Sequence, residues 1–267
     1  ASHNGSKNVN MARAFYQAGF HVVSISSPTF NNFVIAASQT GVVGHAEKDA
    51  EDIYRVFEMI WAELKTDIEV TSFNVTGYSL GGFNAAFVSK LDEERQTFNF
   101  ERVLLINPPV SLYNSISLLD RMVDNILVFT SDVMADYGYI KPKGLPLDRY
   151  SDLTLYNEMS LRLGFTDYYH EFFYPYYSGD YPEEMRDQFI AAISLRSIED
   201  YLRNSTKITV MHNADDVILE PGEIDFFIDV FGDRATIFPL GGHCGNMNYR
   251  DNVALMVATF TDGGVQR

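Results

Sequence analysis

The chain has 267 residues, 46% of them hydrophobic, and 36 acidic against 20 basic side chains give a formal net charge of −16. That apolar share supports a folded core and excludes disorder as a description of the whole, while the acidic field disfavours nucleic-acid phosphates and anionic lipid as partners. The lone cysteine, Cys244, excludes an internal disulfide framework and a multi-cysteine zinc site.

No apolar run is long enough for a membrane span, so no transmembrane segment is expected. Ala1-Ser2-His3-Asn4-Gly5-Ser6-Lys7-Asn8 is polar and holds no signal-peptide stretch, which suggests a processed chain or one that starts partway along a longer protein. Any export signal would then lie upstream, and the compartment is not legible.

Residues 9–18 read as a helix halted at Gly19, and His21-Val22-Val23-Ser24-Ile25-Ser26 as a buried strand ended by Ser27-Pro28. Residues 46–65 have the clearest helical period, with Ile53, Val56, Phe57, Ile60, Trp61 and Leu64 on one stripe. Phe73-Asn74-Val75-Thr76 is the next strand and runs into Gly77-Tyr78-Ser79-Leu80-Gly81-Gly82, then a helix through Phe83, Ala86, Phe87 and Lys90. Arg102-Val103-Leu104-Leu105-Ile106 is a strand stopped by Asn107-Pro108-Pro109. Strand 208–211 leads to His212-Asn213-Ala214-Asp215-Asp216, a helix follows at about 222–231, and strand 235–239 leads to Gly241-Gly242-His243. A final helix spans about 249–260. Strands alternating with helices predict the α/β class, a mostly parallel sheet flanked by helices.

The rhythm breaks between about 110 and 200, where helices 112–127, 153–163 and 184–203 are expected with loops between them. This divides the chain into core segments 1–109 and 201–267 around an aromatic-rich helical insertion, 110–200. Phe165, Tyr168, Tyr169, Phe172, Phe173, Tyr174, Tyr176, Tyr177 and Tyr181 crowd one stretch of it. They either glue the insertion to the core or line an apolar pocket, and both roles can hold together.

Gly77-x-Ser79-x-Gly81 is a weak pattern alone, but a strand directly before it and a helix directly after it give it meaning. A serine there sits on a strained turn, beside a helix N-terminus whose N–H groups favour a developing anion. Its hydroxyl needs a base, and the base an orienting carboxylate. Asp216 and His243 each follow a predicted strand, in the order Ser, Asp, His that goes with this turn. Asp215 is the alternative acid, one position away.

These motifs together resemble the α/β-hydrolase superfamily: Gly77-Tyr78-Ser79-Leu80-Gly81-Gly82 as its nucleophile elbow, His212-Asn213-Ala214-Asp215-Asp216-Val217-Ile218 as its acid loop and Gly241-Gly242-His243 as its histidine loop. The likeness covers about 8–110 and 200–262, and the middle resembles the helical caps that members insert after strand six. It implies Ser79 as nucleophile, His243 as base, Asp216 as the acid and the Leu80 N–H as one oxyanion donor. Tyr78, His3, Phe172 and Phe173 are the candidate substrate-binding residues. His21 and His212 at strand ends, His45 and His170 elsewhere, and Cys244 beside His243 read as packing or surface residues. No metal or organic cofactor is called for.

The family's second oxyanion donor follows its third strand, and nothing before the first helix here reads as that strand. The expectation is that strands one to three are missing, leaving a central slot, with strands four and five pairing directly as the alternative. The implied activity is cleavage of a carboxylic ester, esterase- or lipase-like, through an acyl-enzyme on a small or lipid-like substrate. Thioesterase and peptidase chemistry stay open within the class, as does cofactor-free haloperoxidase or lyase chemistry. Outside enzymes, the alternative is a binding or scaffold protein on the same fold.

Overall fold

The computed structural model describes residues 2–122, 164–177 and 186–261. Strand β2 (Arg102–Ile106) accounts for the layering. Val103 and Leu105 enter one core and Leu104 and Ile106 another, each at most 1% exposed. Alternate side chains of a strand point to opposite faces, so a strand apolar at every position must be covered on both. Each such side chain contributes about 1.5–3 kcal/mol through burial.

Helices supply the covers. The larger core holds Tyr54 of α3 (Ala46–Leu64), Phe83 and Phe87 of α4 (Leu80–Arg95), and Phe227 of the helix Glu223–Phe231. On the opposite face Phe15 of α1 (Ser6–Gln17) and Met256 of the helix Arg250–Phe260 pack with Met211 and Cys244. The sheet between them contains β1 (Asn74–Tyr78), β2, β3 (Ile208–Asn213) and β4 (Ala235–Phe238), parallel and adjacent in that order. All the loops that follow the strands therefore gather at the carboxyl end of the sheet.

A third cluster stands apart. Tyr169, Phe173, Tyr177, Phe189 and Ile193 bury one another, and Leu195 N donates to Val110 O over 2.8 Å where this region rejoins the core. Among the described residues no helix is long and apolar enough to cross a membrane.

Most expected elements form within two residues of their predicted ends. The strand expected at His21–Ser26 does not form: the stretch has no regular structure, and Val23 is 50% exposed. Its composition suits a strand, but a strand also needs a neighbour, and among the described residues β1 pairs only with β2. Helix 184–203 is broken into Arg186–Ala192, a single-turn 3-10 segment Leu195–Ile198, and Glu199–Asn204. Ser194 breaks it by adopting extended backbone and taking the Arg196 N–H on its hydroxyl. Residues 112–122 are helical as expected, whereas the remainder of 112–127, the helix 153–163 and Tyr181 lie outside the described residues. Two helices were not anticipated. One is the short α2 (Asn31–Ala36), and the other runs through 165–177 with a π-helical middle at Tyr169–Phe173.

Candidate active site

The turn between β1 and α4 is built from glycines. A Cβ on Gly77 would lie 2.2 Å from the Gly81 carbonyl oxygen, and one on Gly82 would come within 3.0 Å of the Gly77 carbonyl oxygen. Only hydrogen at 77 lets strand and helix approach this closely. Gly81 has open space where a Cβ would be, so it is not a close-packing glycine. Ser79 takes φ 55° and ψ −129°, a sparsely populated conformation for a residue with a side chain, held by its N–H on Ile106 O at 2.8 Å. Leu80 is the first residue of α4, where helix N–H groups have no intrahelical partner.

The Ser79 hydroxyl lies 2.8 Å from Nε2 of His243, 164 positions away in sequence. The other ring nitrogen, Nδ1, lies 3.1 Å from both Oδ1 and Oδ2 of Asp216. An ionised carboxylate only accepts hydrogen bonds, so Nδ1 carries the proton and Nε2 is free to accept from the serine. Asp216 is 5% exposed. Its Oδ1 also accepts the Ile218 N–H at 3.1 Å and its Oδ2 the amide of Asn107 at 3.0 Å. Of the two candidate acids, Asp216 faces the imidazole. Asp215 instead accepts the Gly242 N–H at 2.8 Å, and that bond holds its carboxyl below the usual range.

Three asparagines brace this arrangement, and the sequence reading assigned none of them a role. Asn213, at the end of β3, exchanges amide hydrogen bonds of 3.0 and 2.7 Å with Asn246 and donates to Gly242 O at 2.8 Å. A Cβ on Gly241 would lie 2.6 Å from the Asn213 side chain, so the histidine loop can lie against this amide only with glycine there. Asn107 opens the loop after β2 in the left-handed region, φ 45°, which asparagine tolerates better than most residues. For Asn107, a polar amide immediately after a buried strand was the available signal.

The remaining expected residues go elsewhere. His3 bonds through its backbone N–H and its Nδ1 to Ser26 Oγ, at 3.0 and 3.1 Å, rather than to the serine–histidine pair. Tyr78 precedes Ser79 and carries Lys7 Nζ over its ring at 5.8 Å. Phe172 is 53% exposed and stacks on Tyr168, whereas Phe173 is 2% exposed inside the aromatic cluster. Phe173 is therefore a packing residue, set against Tyr169, Tyr177 and Phe189.

His212 is fully buried, with Nδ1 accepting the Asn213 N–H at 2.9 Å and Nε2 donating to Pro108 O at 3.0 Å. Burial lowers its pKa and keeps it neutral. His21 is exposed, His45 packs on Tyr177, and His170 meets the Tyr113 hydroxyl at 3.1 Å. Burial pushes the Cys244 thiol up to about 12, so it is not a thiolate at neutral pH. Among the described residues no group of three or more His, Cys, Asp or Glu is placed to hold a metal.

No protein-family model matches the chain, and no curated protein is similar to it. Solved structures do align. A suspected hydrolase from Legionella pneumophila superposes with a TM-score of 0.53 at 12% identity, over 98% of this chain and 76% of its own. A proline iminopeptidase from Mycobacterium smegmatis superposes at 0.48 with 17% identity, over 97% of this chain and 84% of its own. The chain has the α/β-hydrolase fold, with its parallel sheet between helices.

Proposed function

We propose that the chain is a serine hydrolase that cleaves a carboxylic ester through an acyl-enzyme on Ser79. One observation carries this reading: a single imidazole meets a hydroxyl at 2.8 Å on one side and a buried carboxylate at 3.1 Å on the other. Such a ring can accept the proton that makes serine nucleophilic, and the carboxylate stabilises the imidazolium formed.

In the first step Ser79 Oγ attacks the ester carbonyl carbon while His243 Nε2 takes the hydroxyl proton. The carbonyl oxygen becomes an oxyanion, and the Leu80 N–H at the start of α4 is its proposed donor. A good donor of this kind lowers the barrier by about 2.7–4 kcal/mol. The C–O bond then breaks, and the leaving alkoxide takes the proton from His243 and departs as an alcohol. Water repeats the sequence on the acyl-enzyme, giving its proton to His243 and then releasing the acid and restoring Ser79.

The fold it shares with the suspected hydrolase from Legionella pneumophila is compatible with this chemistry. An ester is a less demanding acyl substrate than an amide, because its alkoxide leaves more readily than an amine. Small and lipid-like esters both belong to this class. The test is a panel of p-nitrophenyl esters from acetate to decanoate, run beside a matching thioester and an aminoacyl p-nitroanilide. Turnover of the esters that Ser79→Ala abolishes supports the reading. Turnover confined to the anilide would move the activity to peptidase chemistry, and turnover unaffected by Ser79→Ala would overturn the reading.

A further inference from the structure

Helix 112–122, between β2 and β3, faces two ways. Tyr113 and Ile116 pack against the aromatic cluster of Tyr169, Phe173 and Phe189, and the Asp120 carboxylate accepts the Phe165 and Thr166 N–H groups at 2.8 and 2.7 Å. Its other flank meets the segment that carries Asp216. Ser115 Oγ donates to Ile218 O at 2.7 Å, Asn114 Nδ2 donates to Glu223 Oε1 at 3.0 Å, and Arg121 pairs with Glu220 at 2.7 Å.

These three contacts are not equivalent. The Arg121 pair is exposed, and such pairs contribute little. Asn114 reaches the first residue of the helix Glu223–Phe231, beyond the acid loop. Ser115 lands on the loop itself. Ser115 and Ile218 are both buried, and Ile218 places its N–H on Asp216 Oδ1 at 3.1 Å. One residue therefore joins the Ser115 hydroxyl to the carboxylate that faces His243. The turn is loosely tied by its own backbone. Asp216 N reaches Asn213 O at 3.2 Å and Leu219 N reaches Asp216 O at 3.3 Å, at or past the long end of ordinary N–H···O bonds. The Ser115 bond, at 2.7 Å, is shorter than both.

We propose that Ser115 is a positioning residue for the acid: by holding the Ile218 carbonyl it keeps the Ile218 N–H on Asp216, and so helps fix the tautomer of His243. The segment between β2 and β3 thereby takes part in orienting the acid. This inference rests on the roles proposed for Asp216 and His243 and adds a residue that touches neither Ser79 nor the imidazole by hydrogen bond. Without the hydroxyl, the Ile218 carbonyl is left buried without its donor, and the turn relaxes. Asp216 then depends on Asn107 at Oδ2, and its hold on the Nδ1 proton weakens. Rings that carry the proton on Nε2 instead cannot accept from Ser79.

The test is Ser115→Ala, with Ser117→Ala as the control because its hydroxyl bonds Tyr113 O within the same helix. Ring ¹⁵N shifts of His243, recorded with the ring neutral, report the tautomer without any substrate. His212, whose Nε2 donates to Pro108 O, is the internal reference. Ser115→Ala should raise the Nε2-protonated fraction of His243 at least about threefold and leave His212 unmoved. Its kcat on a p-nitrophenyl ester should fall about 3- to 12-fold, the range of one neutral hydrogen bond, with KM within about twofold. In an Asp216→Asn background the same substitution should change kcat less than about twofold, because the group it acts through is gone. Ser117→Ala should match the parent. Ser115→Cys, of similar size but a weaker donor, should move the same readouts in the same direction and replaces the alanine should that variant not fold.

An unchanged His243 ring, an equal loss of kcat in the Asp216→Asn background, or equal movement of His212 would overturn the positioning role. A shifted His243 ring in a protein that turns over no ester would uphold it and count against the ester reading instead.

Discussion

Asp216 turns both carboxylate oxygens to Nδ1 of His243 at 3.1 Å, while its neighbour Asp215 binds the backbone of the histidine loop at Gly242. Two adjacent aspartates thus divide the work. One faces the ring and the other holds the loop that carries it.

This division predicts different variants. Asp216→Asn offers the ring an amide in place of a carboxylate, which favours the wrong tautomer and removes the acceptor from Ser79. Its kcat on a p-nitrophenyl ester should fall by about 10⁴-fold with the fold intact by circular dichroism. Asp215→Asn keeps an oxygen for the Gly242 N–H and should lose less than about tenfold. The opposite ranking would place the acid at 215.

Asn107 donates to Asp216 Oδ2 at 3.0 Å and touches neither Ser79 nor His243 by hydrogen bond. It is a positioning residue in the proposed mechanism. Asn107→Ala should lower kcat by about 10- to 150-fold, the range of one hydrogen bond to a charged group, and leave KM within about twofold. An unchanged kcat would show that Ile218 N–H and the ring hold Asp216 unaided.

The two glycines around Ser79 should separate cleanly. Gly77→Ala places a methyl group 2.2 Å from Gly81 O, so the turn must deform, and a loss of about 3 kcal/mol or more is expected in urea unfolding. Gly81→Ala meets open space within α4 and should be neutral or up to about 1 kcal/mol stabilising. Similar losses at both positions would contradict the packing described.

Asp49 gives the protein a pH signature away from Ser79. It is buried at the start of α3, accepts the Gly44 N–H at 2.9 Å, and burial raises its pKa to about 7. The folded state therefore holds this proton more tightly than the unfolded chain. Its stabilising contribution is complete below about pH 4 and is lost as pH rises through about 7. Asp49→Asn keeps the acceptor without the charge. Its urea midpoint should rise relative to the parent between pH 5 and pH 8, whereas parallel profiles would refute the shift.

Much of this was legible in the sequence, for identifiable reasons. β2 is apolar at every position after Arg102, and α3 carries its stripe at helical spacing, so local pattern and tertiary burial agree. Ser79, Asp216 and His243 were placed because each sits just past a strand. Residues 21–26 misled because their composition is that of a strand while pairing is a property of the neighbour, and β1 stands across a cavity. Helix 165–177 was hidden because aromatics on every side of it leave no period to read. Asn213 and Asn246 were silent because their bond joins residues 33 apart.

The most direct test of the proposed nucleophile is labelling of the folded protein with a fluorophosphonate, followed by mass spectrometry of the tryptic peptides. The account predicts one phosphonyl group per chain, on Ser79, absent in Ser79→Ala and slowed at least about 10³-fold in His243→Ala. A folded chain that takes no label, or takes it on another residue, would contradict it.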